Sequence, residues 1–395
     1  MSALLNERHH ELELPEHWPD SLRPEVLRRI DHEPPYFICD LDTIRDRYRR
    51  LGTCLPGIEC FYALKCNPAT EVLQTLAQLG SSFEIASLGE LQILQAEGIE
   101  PADVIYSNTV KPAKHVAAAY EAGLWRFAFD GEGELHKLAE HAPGSAVYVR
   151  LRVDDTTSIF PLSRKFGASA WDAHQLLITA RDLGLRPYGV TFHVGSQCTT
   201  AGAWRQALTA VGRLLSTLQD DGIELEMLNL SGGFPARYTE PVPSIGEIAG
   251  AIWPALNALL PYVPPKLAVE PGRFLVAESA VLSAGVIGRE RRAGENWIYL
   301  DVGAYNGLIE TRQATHWTYP LWTSRLDHAV APQEVFTVTG PTCDSSDTLF
   351  PSARLPSTLE VGDVIYIGTV GAYTLSYGSS FNGFSPPSSL FVGAL

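Results

Sequence analysis

The chain has no apolar run of 18 residues or more and no signal-peptide pattern, so neither a membrane-spanning helix nor secretion is expected. Positive charge is scarce. Thirty Lys and Arg stand against 45 Asp and Glu, a net charge of −15, which argues against nucleic acid as a partner and favours solubility. The six cysteines (Cys39, Cys54, Cys60, Cys66, Cys198 and Cys343) lack metal-site spacing, and free thiols suit a reducing cytoplasm. There is no low-complexity tail and no Pro/Ser linker longer than a loop. A glycine-rich dinucleotide loop is also missing. After the first apolar run of the repeat region the chain reads Lys65-Cys66-Asn67-Pro68, which tells against a doubly wound open sheet.

What is present is an alternation. Short apolar runs occur at 61–64, 83–86, 104–107, 127–130, 147–153, 189–194, 227–230 and 267–270. Between them lie amphipathic stretches such as 70–79, 89–96, 113–122, 171–183 and 203–218, several stopped by a glycine (Gly80, Gly98, Gly123, Gly184, Gly222). Eight such repeats predict a (β/α)8 TIM barrel, placed at residues 40–278. From about Ser279 the pattern becomes β-like, at 281–287, 297–302, 335–339, 364–367 and 388–392, with a further strand-like run at 36–39. Residues 1–39 plus 279–395 are therefore expected to form a second, mainly β domain.

In a barrel, catalytic groups project from the C-terminal ends of the strands. Reading those ends in order gives Lys65, Glu84 with Ser87 and Glu90, Asn108, Asp130, Arg152, His193 with Ser196, Ser231-Gly232-Gly233, and Glu270-Pro271-Gly272-Arg273. Singly, each has an ordinary reading: a solvated lysine, a satisfied core histidine, a diglycine turn. Together they have one chemical use. A desolvated Lys65 has a lowered pKa and is a nucleophilic amine. The diglycine lets backbone N–H groups approach a phosphate. Arg273 adds charge there or holds the adjacent carboxylate. Glu270 pairs with a protonated pyridine nitrogen and His193 stacks on a flat ring. The set describes pyridoxal phosphate held as a Schiff base on Lys65. In the second domain, Cys343-Asp344 beside Gly340-Pro341 puts a thiol next to a carboxylate on a tight loop.

The chain resembles the fold-type III pyridoxal-phosphate decarboxylases, the group of ornithine, lysine, diaminopimelate and biosynthetic arginine decarboxylases. The resemblance runs from about Pro35 to Val392. It rests on the segments at 61–67, 83–87, 193–196, 231–235, 270–273, 340–344, 371–373 and 381–384, all in the family's order. It implies that Lys65 carries the cofactor and that Glu270 holds the pyridine nitrogen protonated. His193 would stack on the ring, and Ser196, Gly232, Gly233, Arg273 and Tyr373 would contact the phosphate. Glu84, Arg152 and Gly272 complete the expected cofactor set. The resemblance also implies a homodimer in which Cys343 reaches the partner's site and returns a proton after CO2 leaves. Asp344 from that loop, with Tyr305 and Phe381, would bind the substrate's distal ammonium.

The expected reaction is decarboxylation of a basic diamino acid, L-ornithine or L-lysine, to putrescine or cadaverine. Other readings are a conjugated diamino acid, D-ornithine or D-lysine, diaminopimelate, or a catalytically dead regulatory paralogue. Relatives of the diaminopimelate type carry Cys-Glu-Ser where this chain has Cys343-Asp344-Ser345. Alanine racemases lack the thiol–aspartate loop. Arginine decarboxylases of this fold are expected to be much longer. Three departures stand out. Glu84 replaces an Asp. Ser231 replaces a glycine. Ala314 stands where eukaryotic ornithine decarboxylases place a second substrate-binding aspartate, with His316, Trp317 and Trp322 as unusual neighbours that narrow the pocket, pack against an acylated or modified amine, or fill an interface.

Overall fold

The computed structural model describes residues 19–314 and 317–393. Eight parallel strands close into a barrel: Glu59–Ala63, Ser82–Ile85, Val104–Tyr106, Arg126–Phe129, Ala146–Leu151, Arg186–Phe192, Met227–Asn229 and Lys266–Val269. The ring closes where Val269 pairs with Cys60. Each lies within or beside one of the expected apolar runs. Phe61, Ile105, Ala128, Tyr148, Tyr188, Met227 and Ala268 fill the interior as one apolar cluster, so the barrel is a packed core.

The helices start and stop for local reasons. Ser87, Ser169 and Ser244 each accept a hydrogen bond from the backbone N–H three residues on. Gly184 takes φ +78°, and Leu185 N–H reaches back to Ala180 O at 2.9 Å, closing the helix Ala170–Asp182. Such caps turn the chain sharply enough to bring each strand back beside the last.

The second body is an eight-stranded sheet in which Ala280–Arg292 is the central long strand. It pairs antiparallel with Val364–Gly368, Glu295–Leu300 and Tyr36–Asp40. Tyr36–Asp40 pairs on its other side, in parallel, with Ser388–Val392. Two strands of this sheet were not legible in the sequence, the three-residue Leu321–Thr323, which pairs with Val364–Gly368, and Thr348–Pro356. Thr348–Pro356 contains two prolines and forms the sheet's outer strand beside Gln333–Thr339, a position where missing N–H donors are tolerated.

Among the described residues, no helix is long and apolar enough to cross a membrane, and no group of three or more His, Cys, Asp or Glu could hold a metal ion.

Candidate active site

Lys65 lies in a single 3-10 turn, Leu64–Cys66, directly after the first barrel strand. Its side chain is 43% accessible, with the ammonium end against the buried Glu84 carboxylate. Burial is the largest influence on its pKa and pulls it down. The combined attraction of Glu84, Glu270 and Glu90 outweighs that pull, so the ammonium is held above its ordinary value. This corrects the expectation of a lowered pKa: the lysine sits among carboxylates, not in an apolar pocket. Glu84, at the end of the next strand, receives a short hydrogen bond from Lys65. Burial pushes its own carboxyl up to about 7.

Glu270 follows the last barrel strand and accepts three side-chain hydrogen bonds. Ser107 donates to it, Asn229 Nδ2 donates at 2.7 Å and Ser231 Oγ at 2.8 Å. The serine that departs from the glycine run thus has a structural reason. Its left-handed backbone, φ +54°, costs roughly 1–2 kcal/mol in an L-residue. A hydrogen bond to a charged group contributes about 1.5–3 kcal/mol, which offsets that strain.

His193 Nδ1 accepts the Gly195 N–H at 3.0 Å, leaving Nε2 toward Gly232. Burial, with Arg150 and Lys65 adding repulsion, holds the imidazole well below its usual pKa and therefore neutral. A Cβ on Gly232 would meet Glu270 O at 2.7 Å, and one on Gly233 would meet Gly195 O at 2.6 Å. Only glycine lets this loop approach so closely.

Arg273 is buried and its charge is shared. It makes a bidentate pair with Glu310, donates to Tyr238 OH at 2.6 Å and reaches Ser196 Oγ at 3.3 Å. The carboxylate it holds is Glu310, not the neighbouring Glu270. The Phe160, Tyr238, Trp317 and Tyr373 rings surround its guanidinium.

Lys65, His193, Ser196, Gly232, Gly233, Glu270, Gly272, Arg273 and Tyr373 line one cleft of about 360 Å³, including its open mouth. The expected Arg152 does not. It is exposed just beyond its strand, whereas Arg150, two residues earlier, lies within electrostatic reach of Glu270, Glu84 and His193. Side chains alternate along a strand, so both share a face, but only Arg150 is inside the barrel mouth. Ser87, Asn108 and Asp130 serve local structure instead: a helix cap, a bond to Ala86 O and acceptance of the Gly167 N–H.

Trp317 packs behind Arg273 against Tyr238 and Phe160. Trp322 sits in the second sheet's core beside Tyr366. Neither lines the cleft, so the narrowing role is corrected: both fill core. His316 lies outside the described residues.

A second cluster sits on the sheet domain. Tyr305 OH donates to Asp344 Oδ2 at 2.6 Å, and Ser346 N–H and Oγ donate to Oδ1 at 2.8 Å. These bonds, Tyr305's first, hold the Asp344 carboxyl down at about 2. The Tyr305 and Phe381 rings lie 4.6 Å apart. Cys343 is exposed, its Sγ 3.3 Å from Asn382 Oδ1. None of Tyr305, Cys343, Asp344 or Phe381 lines the Lys65 cleft of the same chain.

Residues 41–277 match the profile of the pyridoxal-dependent decarboxylase family, pyridoxal binding domain. The chain belongs to that family. It is 35% identical over 352 residues to a lysine/ornithine decarboxylase of Selenomonas ruminantium, covering 89% of this chain and 87% of the relative. A lysine/ornithine decarboxylase from Vibrio vulnificus, solved with cadaverine, superposes with a TM-score of 0.83 at 31% identity, over 92% of this chain and 96% of the other. The arginine decarboxylase of Paramecium bursaria Chlorella virus superposes with a TM-score of 0.88 at 25% identity, over 94% of this chain and 100% of the other. That enzyme is no longer than this one, so chain length does not separate the arginine branch. The decarboxylase falls in the ornithine/lysine group, and its cofactor is pyridoxal phosphate. The cleft fits it: a carboxylate held by three donors for a ring nitrogen, a neutral imidazole for a ring face, and a loop no Cβ would permit for a phosphate.

Proposed function

We propose that the enzyme decarboxylates a basic diamino acid, L-ornithine or L-lysine, at sites shared between two copies of the chain. Asp344 carries this reading. It is kept ionised by Tyr305 and Ser346 and sits beside an exposed thiol, away from its own chain's lysine. A fixed carboxylate is the partner a distal ammonium needs, and a charge-assisted pair is stronger than a neutral hydrogen bond.

When bound, pyridoxal phosphate supplies the sink for the electron pair left as CO2 departs. The rest is done by the chain. Lys65 holds the cofactor covalently, and Glu84 orients its amine. Glu270, fixed by Ser107, Asn229 and Ser231, keeps a proton on the ring nitrogen. His193, being neutral, packs on the ring without opposing that proton. Gly232, Gly233, Ser196, Arg273 and Tyr373 take the phosphate, and Arg150 adds positive charge at the mouth. Cys343 of the second copy gives a proton to the product carbon, while Asp344 and Tyr305 fix the far end of the substrate and Phe381 walls it.

Rates of CO2 release from L-ornithine, L-lysine, their D-forms, diaminopimelate, arginine and acylated diamino acids test the substrate. A free diamino acid should lead by kcat/KM. A preference for an acylated or guanidino substrate would overturn the choice.

A further inference from the structure

A larger groove, about 810 Å³ including its open mouth, is lined in part by the same segments that form the cofactor cleft. Arg47, Arg50, Arg237, Phe274, Pro235 and Glu278 line it. Three arginines gathered in a chain that carries 15 more acidic than basic residues require an explanation. Glu278 accounts for one. It accepts a hydrogen bond from Arg47 through one oxygen and the Arg237 N–H, at 3.0 Å, through the other. Arg47 also lies 5.8 Å from the Phe274 ring centre, so it and Glu278 form a fixed floor.

The side chains of Arg50 and Arg237 are exposed and make no ion pair or hydrogen bond among the described residues. Two guanidinium charges are thus left facing one concave surface. Of the carboxylates on these segments, Asp46 pairs with Arg49 and Glu247 with Ser244 at the start of the helix Ile245–Leu259, while the exposed Glu240 adjoins the lining Pro241 in sequence.

The geometry points to a binding site for a compact polyanion, a small metabolite bearing two or more phosphate or carboxylate groups, coupled to the cofactor's phosphate site. Guanidinium forks suit such oxyanions bidentately. The coupling follows from shared walls. Gly232, Gly233 and Phe234 line the cofactor cleft, while Pro235 and Arg237 line the groove. Likewise Gly272 and Arg273 face the cleft, and Phe274 and Glu278 face the groove. An anion that draws Arg237 inward pulls on Gly233 and Gly232, four and five residues away along one continuous chain.

The test is calorimetric titration of the holoenzyme with inorganic pyrophosphate, and separately with citrate, at two salt concentrations. Saturable, salt-sensitive binding is expected, with the stronger probe assigning phosphate or carboxylate chemistry. Arg50→Ala combined with Arg237→Ala should weaken it by about tenfold or more. Both side chains are exposed, so folding should survive, and circular dichroism checks this. Absence of saturable binding, or equal binding by the variant, overturns the site. So does loss of the cofactor's visible band in step with binding, since the probe would then be taking the cofactor's own phosphate place. Coupling is read from the cofactor's dissociation constant with and without saturating probe. Linkage requires any effect on affinity to be reciprocal, typically about 5- to 150-fold. An unchanged cofactor affinity at saturating probe would retire the coupling.

Discussion

The Lys65 cleft and the Asp344 loop differ in how finished they are within one chain. In the cleft, Glu84, Glu270 and Arg273 all have partners, and burial sets their chemistry. On the loop, Cys343 is exposed, the Asp344 carboxylate accepts side-chain and backbone hydrogen bonds from only Tyr305 and Ser346 among the described residues, and the Phe381 and Phe384 rings are open to solvent. Exposed aromatics beside a fixed carboxylate are costly on a free surface and useful at an interface. The difference locates the two halves of the proposed site: one built by folding, the other by association.

The most severe way to break the finished half is Lys65→Ala. It should abolish the borohydride-reducible cofactor adduct and nearly all turnover. Labelling of a different lysine in the reduced wild-type protein would show the assignment to be wrong.

The unfinished half is tested by mixing. Lys65→Ala and Cys343→Ala chains are each expected to be inactive. Random exchange makes about half the dimers mixed, and each mixed dimer has one intact site, so ~25% of wild-type activity should return. No recovery despite proven exchange would place Cys343 and Lys65 in one chain's site.

The two halves also differed in how far the sequence revealed them. The barrel was legible because each strand is a largely buried apolar run with a polar residue at its end or within two residues after it, and the cleft's glycines and Glu270 follow those ends. Arg150 was missed for Arg152 because the strand stops at Leu151, and sequence alone does not say which of two same-face arginines is the last one inside. Glu310 was missed as the partner of Arg273 because the pair spans 37 residues and two bodies. Ser107 and Asn229 were missed because a hydroxyl or amide near a strand end has no distinctive spacing. What unites Arg150, Glu310, Ser107 and Asn229 is that they act on other side chains, and such partners are fixed by three-dimensional proximity rather than by pattern.

Asp344→Asn keeps the loop's shape and removes its charge. With the carboxyl held down at about 2, the residue is ionised throughout the working pH range, so the defect should not vary with pH above about 4. Turnover of L-ornithine or L-lysine should fall roughly 10²-fold in kcat/KM, with the cofactor's spectrum unchanged. A near-wild-type rate would detach the loop from the substrate's ammonium while leaving the cleft's chemistry intact.

The mildest prediction probes the cleft's own balance. Ser231→Gly relieves a left-handed backbone, φ +54°, that costs an L-residue roughly 1–2 kcal/mol. It also deletes one of three hydrogen bonds to Glu270, worth about 1.5–3 kcal/mol. A glycine adds chain entropy to the unfolded state, for about 0.4–1 kcal/mol more on the losing side. The losses exceed the gain by roughly 0–3 kcal/mol, so the variant should unfold in urea no more than about 3 kcal/mol more easily than the wild type. The functional effect has no such compensation. Glu270 would keep only Ser107 and Asn229, both on one oxygen, leaving the other oxygen without its serine donor. The carboxylate is then freer to rotate away from the ring nitrogen. A severalfold loss of kcat with little change in KM is the expected result, because the substrate's own contacts are untouched. An unchanged kcat would mean that two donors already fix Glu270, and that the serine's hydrogen bond only offsets its strain.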